Sequence, residues 1–343
     1  MSSNKPDLRK QVAKLKGVRV AVLGDLMLDE HLWCEVTRIS PEAPVPIARV
    51  KSVTHVPGGA ANVASNIAAL GGVPLLFGLA GQDSSGERLL HALDERGIDT
   101  NYILRTQNRP TILKSRVIAH QQHVVRVDRE HTEAIRPETE QRVLESFARV
   151  LSSVGAVLIS DYHKGFLTER LTAGLIQMSR KAGVPVLVDP KGASWTKYKH
   201  ATVLTPNRAE AETAAKEKLN DRHSLRFVAE KLIKQLDLSY LLVTLSEQGM
   251  TLFPRKGAPA HVDALAKEVY DITGAGDTVI STLALAMAEG WPIIKAMTLA
   301  NVAASIVVAK VGTAAVTLLE LERQLSKLSA KNLEVKRETT VRA

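Results

Sequence analysis

Short runs of aliphatic and β-branched residues alternate with longer amphipathic stretches along most of the 343-residue chain. The runs are continuous: "VRVAVLG" before Asp25, "GAVLIS" before Asp161, "VPVLV" before Asp189, "ATVLTP" before Asn207 and "YLLVTLS" before Glu247. Such runs read as strands covered on both faces, the condition of a parallel sheet. Between them, "AANVASNIAAL", "SSGERLLHALDERG", "RPETEQRVLESFARVLSSV", "TERLTAGLIQMSRKAG" and "SLRFVAEKLIKQLD" have helical patterning. Several open on Ser, Thr or Pro or close on Gly, as helix ends do. The alternation predicts an α/β fold, a mostly parallel sheet with helices on both faces, and sites at the carboxyl ends of its strands. The polar residues that end the runs are therefore the first to weigh for chemistry.

Two segments break the alternation. Residues 31–56 hold three prolines among short β-like runs, and residues 111–128 pattern as a hairpin. Strands that leave the main sheet predict a small second sheet, a lid over the site. No repeat, low-complexity stretch or linker divides residues 1–330, which read as one domain. Residues 331–343 read as a charged, frayed tail.

Composition narrows the function classes. At 45% hydrophobic and 24% charged the chain is ordinary for a globular protein with a sizeable core, and 4% aromatics argues against a stacking surface for single-stranded nucleic acid. The net charge of +9 sits largely in the ends: residues 1–17 carry +4 and residues 331–343 carry +2, leaving +3 for the rest. Solvated tails explain this better than a nucleic-acid partner. Cys34 is the lone cysteine, so no intrachain disulfide forms, which fits a reducing cytoplasm. The polar N-terminus has no apolar run of signal length, and no stretch is apolar enough to span a bilayer.

Four short stretches carry candidate chemistry. In "DITGAGDTVIST" glycines open a long apolar helix, whose start presents free N–H groups to an anion, yet Asp277 stands in the same mouth. The ending of a P-loop is absent, and the motif lies too far along the chain for a dinucleotide fingerprint. The residues fit phosphoryl transfer if the N–H groups of Ala275, Gly276 and Asp277 meet the group in flight while Asp277 takes a proton from the acceptor hydroxyl. They fit a tight glycine turn with a capping Asp equally well. In "VPGGAANVASN", Gly58 and Gly59 permit close backbone approach to a ligand and Asn62 offers a donor and an acceptor; a glycine turn before an ordinary helix is the plainer reading. In "LTPNRAEAE", Asn207 and Glu210 are placed to hold Mg²⁺-bound water and ATP phosphates, or to form a capping box, which the pair alone favours. In "GDLMLDEH", Asp25 and Asp29 follow the first strand, where carboxylates suit sugar hydroxyls or cap a loop. No zinc spacing and no nucleophile elbow appears.

Together and in this order, the motifs resemble the ribokinase-like (PfkB) carbohydrate kinases over about residues 15–325. "GGAANVASNIAALGG" is similar to that family's first signature and "DITGAGDTVISTLALAMAEG" to its second. Within the family, "GDLMLDEHLWCEVTRISPEAPVPIARV", "RVIAHQQHVVRVD", "SDYHKGFL" and "VDPKGASW" resemble the D-glycero-β-D-manno-heptose 7-phosphate kinases of lipopolysaccharide precursor synthesis. The resemblance implies a three-layer αβα sandwich and transfer from ATP, with Mg²⁺, to the C1 hydroxyl. It puts the base at Asp277 and the anion hole at Gly274, Ala275 and Gly276. Asn207, Arg208, Ala209 and Glu210 match the element tied to ATP phosphates and, through water at Glu210, to Mg²⁺. The sugar falls against Asp29, Gly58, Gly59 and Asn62. Lys191 is placed for ATP phosphates, and Ser246, Gly249, Asn301 and Gly312 lie in segments that line the nucleotide. From their place in the inserted strands, Arg38, Lys114 and Arg116 are candidates for the substrate's distal phosphate. Leu245, where a basic residue is expected, and His120 and His123 in the lid depart from the pattern. A cytoplasmic enzyme is implied, without nucleic-acid or membrane partners and paired as a homodimer through the lid. Nothing resembles the nucleotidyltransferase domain fused to some relatives, so a monofunctional kinase or an isolated kinase part is expected. A kinase for another sugar, and a non-catalytic sensor on the same fold, are the alternatives.

Overall fold

A computed structural model describes residues 8–120, 122–266, 269–310, 314–329 and 333–337. Its strands are β1 (Arg19–Gly24), β2 (Leu26–Ile39), β3 (Pro46–Gly59), β4 (Val73–Gly81), β5 (Ile103–Thr106), β6 (Ile112–Ala119), β7 (Gln122–Arg129), β8 (Ala156–Ser160), β9 (Val186–Asp189), β10 (Val203–Leu204), β11 (Tyr240–Thr244), β12 (Met250–Pro254), β13 (Ala260–Val262) and β14 (Lys336–Arg337). Its helices are α1 (Leu8–Val12), α2 (Ala60–Ala69), α3 (Ser84–Asp94), α4 (Pro137–Val150), α5 (Glu169–Lys181), α6 (Arg208–Ala215), α7 (Arg222–Leu236), α8 (Ala275–Ala288), α9 (Ile293–Val307) and α10 (Leu318–Lys327).

The main sheet runs β14-β13-β12-β11-β10-β9-β8-β1-β4-β5. Every pairing from β5 to β11 is parallel, and β12 to β14 add antiparallel strands at one edge. Period two explains the continuous apolar runs. Val20 and Val22 of β1 pack with α2, α8 and α9, while Ala21 and Leu23 pack with α4, α5 and α7. β8 divides the same way, Ala156 and Leu158 against Val157 and Ile159. With a helical layer on each face, every side chain of a central strand is buried. The expected three-layer sandwich is what forms.

The second sheet, β3-β2-β6-β7, stands apart as the lid. Its first strand begins earlier than position 31, because only Asp25 separates β1 from β2, and buried Leu26, Met27 and Leu28 extend the core into the lid's root. β3 likewise runs straight into α2. The turn after β6 passes through His120 at φ 50, a left-handed position. In the charged tail, Lys336 and Arg337 pair with β13 as β14. Among the described residues, no helix is long and apolar enough to cross a membrane.

Candidate active site

The loop after β8, the starts of α2 and α8, and the roots of the lid converge on one cavity of about 240 Å³. Asp277 lies on its wall, in the first turn of α8, 8% exposed. Gly274 caps the helix with φ 80, a conformation that suits glycine, and offers no side chain to the first N–H groups. Asp277 Oδ2 accepts from Asn62 Nδ2 at 2.6 Å and Oδ1 accepts from the Tyr162 hydroxyl at 2.8 Å. Burial raises its pKa to about 6, with those two donors pulling the other way. Asn62 is positioned by α2, which packs against α8; Thr278 donates to Asn66 and Ser281 to the Val63 carbonyl across that contact.

One of the amides expected to meet the phosphoryl group is engaged within the protein. The Ala275 N–H donates to the Ile272 carbonyl at 3.1 Å, within a turn where Asp271 also accepts from Thr273 N. The N–H groups of Gly274, Gly276 and Asp277 have no protein acceptor among the described residues.

Gly58 and Gly59 sit at the lid root. Gly59 adopts φ 60, and a Cβ there would run into the Asp25 carbonyl; a Cβ at Gly58 would overlap the Asp29 carboxylate and Met27. Their close approach is to the protein's own groups. Asp25 is likewise engaged, accepting from the N–H groups of Tyr162, Lys164 and Phe166, so it holds the loop after β8. Asp29 lines the cavity.

Lys114 and Arg116 also line it, joined by Arg126, which β6–β7 pairing sets directly opposite Arg116. Lys114 bonds Asp128 at 3.1 Å, Arg126 Nε bonds Asp128 at 2.9 Å, and Arg116 pairs with Asp29. Arg38 is not among these residues. It is exposed near the far end of β2, nine residues beyond Asp29, or about 30 Å along an extended strand, and past the last β2–β6 pair at Cys34.

On the nucleotide side, Asn207 and Glu210 form the capping box of α6: Asn207 Oδ1 accepts from Glu210 N and Glu210 Oε2 from Asn207 N, both at 2.9 Å. Glu210 Oε1 still reaches Lys191 Nζ at 2.7 Å. Burial alone would lower the Lys191 pKa, but Glu210 and Asp189 outweigh it and hold it up. Arg208 bonds the Leu219 carbonyl and Gln248, and Ala209 is exposed beside it. Ser246, at φ 54, and Gly249, at φ 86, form the tight turn after β11. Leu245 is buried below them. Asn301 spends its amide on the Asp263 carbonyl, fixing the end of β13 from α9. Gly312 lies outside the described residues.

Tyr162 and Arg126 escaped the sequence reading, while Asp189 showed there only as the polar end of a strand. Tyr162 follows Asp161 at the end of β8; its signal was position alone, since 115 residues separate it from Asp277. Asp189, at the end of β9, has no donor to its carboxylate among the described residues. Desolvation, then the charges of Asp277 and Glu210, push its pKa well up. Asp189 feels the negative charges of Asp277 and Glu210, with Lys191 as the nearby cation that offsets them. Among the described residues no three metal-ligating side chains form a cluster by themselves.

The model of the pfkB family carbohydrate kinases matches residues 19–319. A bifunctional protein HldE of Geotalea uraniireducens (strain Rf4) is 44% identical over 313 residues, which cover 90% of this chain and 64% of that protein. Another, of Magnetococcus marinus, is 46% identical over 309 residues, 89% of this chain and 63% of that protein. The chain thus spans less than two thirds of the length of these relatives. Among solved structures, Arabidopsis thaliana ribokinase complexed with ribose and ATP aligns with a TM-score of 0.74 at 22% identity, covering 92% of this chain and 100% of its own. Escherichia coli phosphofructokinase-2 in complex with substrates and products gives 0.74 at 19%, covering 90% and 98%. At such identities they speak for the fold.

Proposed function

This chain belongs to the pfkB family of carbohydrate kinases, and from that premise we propose that it phosphorylates D-glycero-β-D-manno-heptose 7-phosphate at the C1 hydroxyl, with ATP, to give the 1,7-bisphosphate. The step would serve ADP-heptose synthesis for lipopolysaccharide, in the cytoplasm. The observation that carries the chemistry is a carboxylate with a pKa near 6 at a bare helix start, in a cavity that cations close from the lid side. The sugar assignment is supported by the lid and strand-end motifs and by the relatives named bifunctional protein HldE.

Asp277 accepts the proton of the attacking hydroxyl, and Asn62 and Tyr162 hold its two oxygens in place. The Gly276 and Asp277 amides and the α8 dipole meet the charge that builds on the phosphoryl group. Glu210, through water, and Asp189 would hold Mg²⁺, which would supply the positive charge that neutralises the triphosphate. Lys191 meets the ATP phosphates, and the turn at Ser246 and Gly249 borders the nucleotide. Asp29, with Gly58, Gly59 and Asn62, faces the sugar, while Lys114, Arg116 and Arg126 take the distal phosphate.

A panel of sugars and sugar phosphates, read by coupled ADP release with Mg²⁺, tests this. Heptose 7-phosphate should exceed ribose, fructose, fructose 6-phosphate and unphosphorylated heptose in kcat/KM. A better rate with any of these rivals reassigns the substrate, and no ADP from any of them overturns the kinase reading.

A further inference from the structure

The lid meets the cavity with three cations, and each one is already engaged. Lys114 holds Asp128 and Glu130, Arg126 holds Asp128, and Arg116 holds Asp29. The last pair differs from the others in its cost to the site. Asp128 and Glu130 are side groups of the lid, but Asp29 is the carboxylate that faces the sugar.

Asp29 has little left to offer while the pair stands. Its side chain is 8% exposed. Oδ1 takes the Arg116 guanidinium, and Oδ2 lies against the Gly58 backbone, so closely that a Cβ there would overlap it. A sugar hydroxyl that seeks Asp29 must compete with a charged, five-donor fork in a half-enclosed site. A hydroxyl loses that competition. A phosphate dianion does not, because a guanidinium matches its oxygens in bidentate fashion and two neighbouring cations add to the attraction.

On the strength of the function proposed above, we propose that the Arg116–Asp29 pair is an exchange latch. The phosphate at the lid end of the substrate draws Arg116 away, and only then is Asp29 free to accept from the sugar. Recognition of the phosphate and of the ring are thereby coupled, and the site rejects an unphosphorylated sugar by keeping its own ligand occupied. The coupling is reciprocal and of ordinary allosteric size, about 5- to 150-fold.

Two measurements test the latch, both with D-glycero-D-manno-heptose lacking its phosphate. In the wild type at saturating MgATP, millimolar inorganic phosphate should fill the lid subsite, release Asp29 and raise kcat/KM for this sugar about tenfold. In Arg116→Ala the latch is gone, so kcat/KM for the unphosphorylated sugar should rise, phosphate should no longer activate, and kcat/KM for heptose 7-phosphate should fall. If Arg116 is merely a phosphate ligand, its removal leaves the unphosphorylated sugar as poor as before. Where the wild type turns over heptose 7-phosphate, the absence of phosphate activation in it, or of the gain in a folded Arg116→Ala protein, overturns the latch alone. Wild-type enzyme that ignores heptose 7-phosphate overturns the function, and the latch falls with it. The phosphate experiment needs no variant, so a misfolded Arg116→Ala protein leaves the inference falsifiable.

Discussion

Asp277 sits where a helix start would prefer to receive an anion, and its surroundings settle how it can stay there. Burial disfavours its charge, and hydrogen bonds from Asn62 and Tyr162 restore part of it, leaving a pKa of about 6. A base must be deprotonated to work, so kcat/KM should fall as pH drops below about 6. Tyr162→Phe removes one donor to the charged form and should move that acid limb to higher pH; an unmoved limb would show that the hydroxyl does not support the carboxylate. Asp277→Asn should lower kcat by about 10²–10⁴-fold while sparing nucleotide binding, as calorimetry would show. The same group bears on stability. Its folded pKa lies above the ordinary carboxylate value of 3.8, so the folded state disfavours the charge. The resulting penalty is absent below pH 4 and complete above pH 6, on the order of 3 kcal/mol. Asp277→Asn should therefore raise Tm at pH 8 and leave it nearly unchanged at pH 4. The loop sequence made Asp277 and Asn62 visible because each lies in a glycine-rich helix start. Tyr162 and Arg126 have no such local signature, and Asp189 shows only as a strand end; they reach the site because strands distant in sequence end at the same level.

At the scale of elements, the strands whose two faces are both covered were legible as apolar runs, and β1, β8, β9 and β11 follow that reading. β4 is as apolar but is interrupted by Pro74 and Gly78 and reaches Gly81 before its polar end at Gln82. β12 and β13 lie toward the antiparallel edge, where no βα unit frames them, and they too went unread. The lid's alternating faces were legible in outline, but its root was not, because Leu26 to Leu28 continue the apolar run of β1. That root depends on Gly59. Its φ of 60 and the nearby Asp25 carbonyl leave no room for a side chain. Gly59→Ala should cost about 1–3 kcal/mol in denaturant unfolding. It should also lower kcat, because α2 starts at the next residue and carries Asn62 to Asp277. Normal stability and turnover would show that the root is more adaptable than its geometry.

At the scale of the whole molecule, the lid has two unlike faces. Alternation puts Asp29, Lys114, Arg116 and Arg126 toward the cavity, and Val53, Val125 and Val127 on the other side, where each remains 42–50% exposed. An apolar sheet face of this kind suits a second copy of the chain, as the proposed lid-to-lid homodimer requires. Sedimentation should give twice the chain mass for the wild type and a monomer for the pair Val53→Asp and Val125→Asp; a monomeric wild type would remove that assembly from the proposal. The manner in which β2 and β3 join the body gives such pairing a mechanical meaning. Asp25 alone stands between β1 and β2, and its carbonyl accepts from Ala60 N where β3 becomes α2. The long hairpin is thus a cantilever built into the wall at both roots, with no hinge loop to absorb its swing. A beam so mounted carries load from tip to root. Whatever grips the outer end of the lid is felt as bending at Asp29, Gly58 and Gly59, where the sugar would rest.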